Sequence, residues 1–91
     1  MITIYQNYDG LLSFDSVHHA IRAEKLLLAA QIIIVSLPTP REIDISCGQC
    51  LLFAVKDQEK VRKILNDQQV KWKKIFRCNL QKRVYEELES R

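Results

Sequence analysis

Cys47 and Cys50 form a C-x-x-C motif, and Gly48 follows the first cysteine. Thiols at this spacing exchange disulfides, bind metal ions or accept a sulfur atom, and the thiolate is the reactive form in each case. Arg41 is the nearest cation in the sequence, and a nearby cation lowers the pKa of a thiol. Cys47 is therefore the candidate nucleophile or acceptor, Arg41 the candidate stabiliser of its anion, and Cys50 a candidate resolving thiol.

The segment that leads to these thiols is stiff. Pro38 and Pro40 restrict the backbone angle φ and remove two N–H donors, so the segment cannot continue a strand or a helix. The chain has only two glycines and two prolines, and three of these four residues lie between positions 38 and 50. Irregular segments held on a scaffold often carry function. We therefore interpret this loop as the candidate site.

Four interpretations of the motif compete. A thioredoxin-type redox motif stands at the start of a helix, whereas this one leads into a predicted strand. A zinc site needs four ligands, and Cys78, His18 and His19 are distant in the sequence. Sulfur or selenium transfer needs one exposed, activated cysteine on a loop, which suits Cys47. In the fourth interpretation, Cys50 is a buried cysteine at the start of a strand.

His19 is a lesser candidate. It stands in the first turn of the first predicted helix, and this helix start and the entry to the third strand are expected at the same end of the fold. A histidine there is a candidate acid or base. We predict no bound metal and no cofactor.

The predicted elements follow the order β-α-β-β-α-β. β-branched and apolar runs indicate the strands, and apolar stripes with capping residues indicate the helices. The strands are predicted at Leu11–Phe14, Gln31–Leu37, Cys50–Val55 and Trp72–Cys78, and the helices at Val17–Ala30 and from Asp57 to about Asp67. This order predicts an α+β fold, a ferredoxin-like βαββαβ sandwich with a four-stranded antiparallel sheet and two helices on one face.

The 91 residues are predicted to form a single domain with its core at about 11–78. Residues 1–10 are an N-terminal arm, and residues 79–91 are a tail in which Leu80, Val84 and Leu88 predict a short amphipathic helix. The second and third strands are apolar at consecutive positions, so both faces of the sheet require cover and two helices supply only one. Either a second copy or the terminal segments cover the other face, and we predict a homodimer.

Composition excludes some partners. A net charge of +3 is too small for a dedicated nucleic-acid binder, and no apolar run is long enough to span a bilayer. Trp72 and Phe76 alternate with basic residues, which permits an RNA-binding sheet, but the alternation assigns both rings to one buried face. We therefore predict no membrane partner and disfavour nucleic acid. Without an export signal, three cysteines indicate cytoplasmic thiols.

Three segments together resemble a known family. They are Ala20-Ile21-Arg22-Ala23-Glu24-Lys25-Leu26-Leu27, Pro38-Thr39-Pro40-Arg41-Glu42-Ile43 and Ser46-Cys47-Gly48. From about Leu11 to Arg77 the chain resembles the small domains called putative selenium/sulfur carrier protein-like. The resemblance implies that Cys47 is the functional thiol and that Arg41 belongs to the same loop. Cys50 departs from the family pattern, in which a small residue without a thiol is common.

We therefore predict a carrier or binding protein rather than an enzyme. Cys47 accepts sulfur or selenium as a persulfide or perselenide from a cysteine desulfurase-like donor and passes it to an acceptor protein. One alternative is a non-catalytic dimeric interaction or regulatory module, because a ferredoxin-like fold alone decides no function. A second alternative is a C-x-x-C dithiol redox protein.

Overall fold

The computed structural model describes residues 8–41, 43, 48–79 and 82–90. Two α-helices and five strands are present among them, with a short 3₁₀ turn at Val55–Asp57 before the second helix. The strands are β1 (Gly10–Ser13), β2 (Val35–Leu37), β3 (Cys50–Phe53), β4 (Lys74–Asn79) and β5 (Val84–Ser90), and the helices are α1 (Val17–Ala29) and α2 (Gln58–Asp67). The α+β class and the predicted order of the first six elements are confirmed.

The five strands form one antiparallel sheet in the order β2-β3-β1-β4-β5. The prediction of four strands is therefore wrong, because β5 joins the sheet along β4. The expected helix in the tail is wrong for the same reason. Spacings of four residues, as in Val84 and Leu88, keep side chains on one side of a strand as well as of a helix. Cross-strand partners on β4, such as the ion pair of Lys74 with Glu87 at 3.1 Å, favour the strand.

Local signals explain where α1 begins and which side of it is buried. The Ser16 hydroxyl accepts a hydrogen bond from the backbone N–H of His18 at 3.1 Å, which satisfies one of the first helical donors. Ala20, Ala23 and Leu27 recur at helical spacing and are completely buried. These three residues form the side of α1 that packs on the sheet.

We call the side of the sheet under the helices the helix face. Its buried cluster combines residues of the strands and of both helices with residues of the segments that connect them. The cluster consists of Leu12, Phe14, Ala20, Ala23, Leu27, Ile32, Leu51, Phe53, Val61, Leu65, Val70, Trp72 and Ile75. This cluster is the larger of the two in the described part of the chain, and it forms the main core.

We call the opposite side the second face. Its buried cluster, the second-face cluster, consists of Leu11, Cys50, Leu52, Phe76 and Cys78. Phe76 therefore lies on the opposite face from Trp72, contrary to the prediction, because Trp72 precedes the first residue of β4 and strand alternation does not reach it.

The second face is covered within one chain. Leu11 and Leu52 have no exposed surface, and Tyr8 and Tyr85 are among the half-buried residues that pack against their cluster. The reasoning that led to a homodimer therefore no longer applies, and the homodimer stays a prediction.

Part of the predicted N-terminal arm belongs to the fold. Residues 1–7 lie outside the described residues, but Gly10 begins β1. The backbone carbonyl of Asp9 accepts a hydrogen bond from the N–H of Cys78 at 2.8 Å, and its carboxylate accepts one from the N–H of Val55 at 2.8 Å. Within the described residues, neither helix has the length and apolar character needed to cross a bilayer.

Candidate functional site

The loop between β2 and β3 has a well-defined stem. Leu37 and Cys50 are the last residues paired in the ladder between the two strands. Beyond them, the backbone N–H of Thr39 donates to the carbonyl of Gly48 at 3.4 Å. The side-chain amide of Gln49 donates to the hydroxyl of Ser36. These contacts hold the two limbs of the loop together at its base.

A tight turn follows the first limb. The backbone N–H of Ile43 donates to the carbonyl of Pro40 at 3.0 Å, so Arg41 stands inside a four-residue turn. Arg41 is exposed, whereas Ile43 is half-buried against the second-face cluster. Ile43 thus anchors the loop on the second face while Arg41 remains in contact with solvent.

Cys47, the central residue of the predicted site, lies outside the described residues. Its neighbour Gly48 is exposed, and a Cβ atom built there would meet no atom within 4 Å. The second limb of the loop is therefore open to solvent at the residue that follows Cys47.

Cys50 lies in a different environment. It is completely buried in the second-face cluster, and its thiol donates to the carbonyl of Pro38 with a sulfur–oxygen distance of 3.9 Å. The thiol therefore contributes to the base of the loop stem and is not in contact with solvent. The interpretation of Cys50 as a buried cysteine at a strand start agrees with this position.

His19 and the loop are at the same end of the sheet but on opposite sides of it. The ends of the strands at Ser13, Leu37, Cys50 and Lys74 mark this end, which we call the loop end. α1 begins there, on the helix face. The Nδ1 atom of His19 accepts a hydrogen bond from the backbone N–H of Lys71 at 3.2 Å, so this nitrogen is engaged in joining α1 to the segment before β4.

The third cysteine is also buried. Cys78 is 7% exposed at the far end of β4, and its thiol is 3.9 Å from the carbonyl oxygen of Tyr8. Burial, together with the negative charge of Asp9, raises the pKa of the Cys78 thiol to about 11. Cys78 is therefore a poor nucleophile near neutral pH.

The basic residues near β4 have acidic neighbours. Lys73 is 3.5 Å from the carboxylate of Asp15, Lys74 forms its ion pair with Glu87, and Arg77 stands opposite Glu86 in the ladder with β5. Because Asp15 and two glutamates of β5 lie beside these cations, the strand does not present an uncompensated basic row to RNA. Among the described residues, no group of three or more histidine, cysteine or acidic side chains is placed to hold a metal ion.

A sequence model of the protein family described as "Putative Se/S carrier protein-like" matches residues 9–77. The chain belongs to this family. The matched range includes the whole loop between β2 and β3, and it ends before β5. No curated protein and no solved structure matches the chain.

Several contacts that hold the loop of this Se/S carrier-like chain were not predicted from the sequence. Ser36, Thr39 and Gln49 hold the stem together, and Ile43 anchors the turn. The hydroxyl of Thr39 is buried without a hydrogen-bond partner among the described residues. The sequence contained a signal for Ile43, because an apolar residue stands there between two acidic residues. The polar contacts of the stem have no comparable signal, since they depend on the register of β2 with β3.

Proposed function

We propose that this chain carries a sulfur or selenium atom on Cys47. The observation that carries the proposal is the family match over residues 9–77, which includes Cys47 and the loop that contains it. The geometry of the described limbs supports the proposal. A pinned stem, an exposed Arg41 and an exposed Gly48 suit a thiol that must meet a donor protein and then an acceptor protein.

The loading step is a sulfur transfer without net oxidation. The thiolate of Cys47 attacks the outer sulfur of a donor persulfide, a new S–S bond forms, and the donor cysteine leaves as a thiolate. A donor perselenide would transfer selenium in the same way. The reaction needs a thiolate at Cys47, and a cation close to the sulfur favours that form. Arg41 is the candidate cation, since it is the loop's exposed guanidinium in the described part.

We further propose that the stem keeps the Cys50 thiol out of the loading reaction. Cys50 has no exposed surface, so it would act as the resolving thiol only after the stem opens. In that step its thiolate would attack the inner sulfur of the Cys47 persulfide, form a Cys47–Cys50 disulfide and release hydrosulfide. A dithiol reductant would then restore both thiols.

The four strands β1 to β4 and the two helices support the ferredoxin-like assignment within this proposal. Their order β2-β3-β1-β4, with both helices on one face, is the arrangement expected of a split βαβ sandwich, to which β5 adds an edge. The proposed carrier acts in the cytoplasm and meets its donor and its acceptor as separate proteins. A domain of this small size is suited to that role. We propose no enzymatic activity for it.

The test is to incubate the protein with a cysteine desulfurase and cysteine and then to record an intact mass. We expect the mass of one added sulfur atom, its loss after treatment with a dithiol reductant, and its absence from Cys47→Ser. Cys78→Ser is the matched control, because it removes a buried thiol far from the loop and should load as the wild type does.

Cys50→Ser separates the two thiols of the motif. If Cys50 is a resolving thiol, this variant should accumulate the adduct while the wild type releases hydrosulfide and forms a disulfide. If Cys50 is only buried, both proteins should hold the adduct for equal times. An adduct that persists in Cys47→Ser, or no adduct in either the wild type or Cys50→Ser, would contradict the carrier proposal.

A further inference from the structure

A row of apolar side chains on α1 is exposed to solvent. Val17, Ile21 and Leu28 are 42%, 41% and 53% exposed. The intervals of 4 and 7 residues place them along one line of the helix. This row, which we call the outer stripe, is distinct from the buried stripe of Ala20, Ala23 and Leu27 that faces the sheet. The core therefore does not require its apolar character.

A basic row runs beside the outer stripe. Arg22 and Lys25 are exposed, with His18 one turn before them, and neither Arg22 nor Lys25 has an ion pair with another described residue. The first turn of α1 contains two histidines and no acidic residue. A helix start normally favours acidic residues because its backbone N–H groups carry partial positive charge. The composition of this surface is therefore not explained by the stability of the helix.

The outer stripe starts at the end of the sheet that holds the candidate site. α1 begins just after Ser13, and Ser13, Leu37 and Cys50 all lie at the loop end. Val17 and Ile21 belong to the half of α1 nearest this end. A protein seated on them would lie at the loop end of the sheet, while Ile43 holds the turn with Arg41 against the second face.

We propose that the outer stripe and its basic row form the docking surface for the protein that exchanges sulfur or selenium with Cys47. This proposal rests on the proposed function and adds the chemistry of the partner. The partner presents apolar side chains surrounded by carboxylates. The apolar contacts supply affinity, and the opposite charges of the two surfaces supply orientation and a fast approach.

A protein partner fits this surface better than an anionic membrane. The stripe is narrow, since Ala20, Ala23 and Leu27 are buried against the sheet. Glu24 lies on the line between Ile21 and Leu28, and an anionic lipid surface would repel its carboxylate. A protein surface can place a donor opposite this one carboxylate, whereas a uniform layer of phosphates cannot.

The test compares two sulfur donors. A cysteine desulfurase with cysteine supplies sulfur from a protein, and glutathione persulfide supplies it without a protein surface. Ile21→Ser combined with Leu28→Ser removes the apolar row, and Arg22→Glu combined with Lys25→Glu reverses the basic row. We expect each pair to slow loading from the desulfurase by about tenfold, the effect of losing one strong interface contact. Loading from glutathione persulfide should keep its wild-type rate.

Matched controls change the same residue types elsewhere. Ile33→Ser removes an apolar side chain that is 70% exposed but is not on α1. Lys60→Glu combined with Lys63→Glu reverses two exposed charges on α2. Both controls should load from either donor at the wild-type rate. Circular dichroism of every variant verifies that α1 is intact.

The outcomes separate the two proposals. If neither donor labels Cys47 in the wild type, the proposed function fails and the docking proposal fails with it. If both donors label Cys47 and the α1 variants load from the desulfurase at the wild-type rate, the docking proposal alone fails. It also fails if vesicles containing phosphatidylglycerol bind the wild type through the outer stripe and compete with the desulfurase.

Discussion

The two faces of the sheet differ in what they hold. The helix face is closed by two helices over large side chains such as Phe14 and Phe53, and none of its members belongs to the loop. The second face is smaller, and its cluster contains Cys50 with Ile43 packed against it. The comparison indicates that most of the stability comes from one face, while the other face supports the loop that carries the candidate site.

A change on the helix face should have the largest effect. Phe53 is completely buried, and its ring fills the space in front of Gly10, where a Cβ atom would lie 2.8 Å from the ring. Phe53→Ala should lower the free energy of unfolding by about 3–5 kcal/mol, because it leaves a cavity that the sheet cannot close. Urea unfolding followed by circular dichroism measures this loss. A loss below about 1 kcal/mol would contradict the assignment of the main core to this face.

The parts of the fold that the sequence predicts are those set by local patterns. The capped helix α1, the apolar strands and the proline end of β2 all follow from residues close together in the chain. The strand β5 was missed because its spacing of apolar residues suits a helix equally. What selects the strand is the row of partners on β4, and the apolar spacing within residues 84–90 does not show that pairing.

The candidate site was predictable only in part. The stiff loop and the exposure of Arg41 follow from proline chemistry and charge. The apolar run of β3 indicates that both of its faces are covered, and a buried Cys50 was one of four interpretations. The sequence did not decide among them, because the cover of the second face includes Tyr85, which is distant from Cys50 in the chain. The roles of Cys47, Arg41, Cys50 and His19 stay predictions for the experiments above.

On the second face, Cys50→Ser should have the next largest effect. A hydroxyl needs an acceptor at about 2.5–3.0 Å, whereas the carbonyl of Pro38 is 3.9 Å from the sulfur. Placing a more polar hydroxyl in this apolar cluster costs free energy, and the free energy of unfolding should fall by about 1–3 kcal/mol. Cys50→Ala is the matched control, since it buries no polar group and should cost less. Equal losses in the two variants would show that the polarity of the site is unimportant.

Ile43→Ala tests the anchor of the loop and leaves the buried residues of both clusters unchanged. Ile43 is half-buried, so its truncation should cost about 1 kcal/mol of unfolding free energy. Its larger consequence should be local, because the turn at Pro40 would lose its anchor on the second face. We expect the rate of Cys47 alkylation by iodoacetamide to change severalfold, while the rates for Cys50 and Cys78 do not. An unchanged Cys47 rate would mean that the anchor does not control the loop.

The effect that is smallest near neutral pH concerns Cys78, because it develops only in alkaline solution. The pKa of Cys78 is raised from 9.0 to about 11, so the unfolded chain loses this proton at lower pH than the folded chain does. Between about pH 9 and pH 11 the folded state binds more protons, and the free energy of unfolding therefore falls as pH rises. Cys78→Ala should show a shallower decline over this window than the wild type. Parallel declines in the two proteins would contradict the assignment.

The two edge strands of the sheet differ in how strongly they discourage pairing with another chain. β5 forms one border and carries Glu86, Glu87 and Glu89, and charged side chains on an edge strand discourage another chain from pairing with it. β2 forms the opposite border with Val35, Ser36 and Leu37, which carry no charge. Extension of the sheet by a second copy would therefore occur at β2. Two such copies would have glutamate-rich strands at both outer borders, so assembly would stop at a pair and would not continue into a fibre.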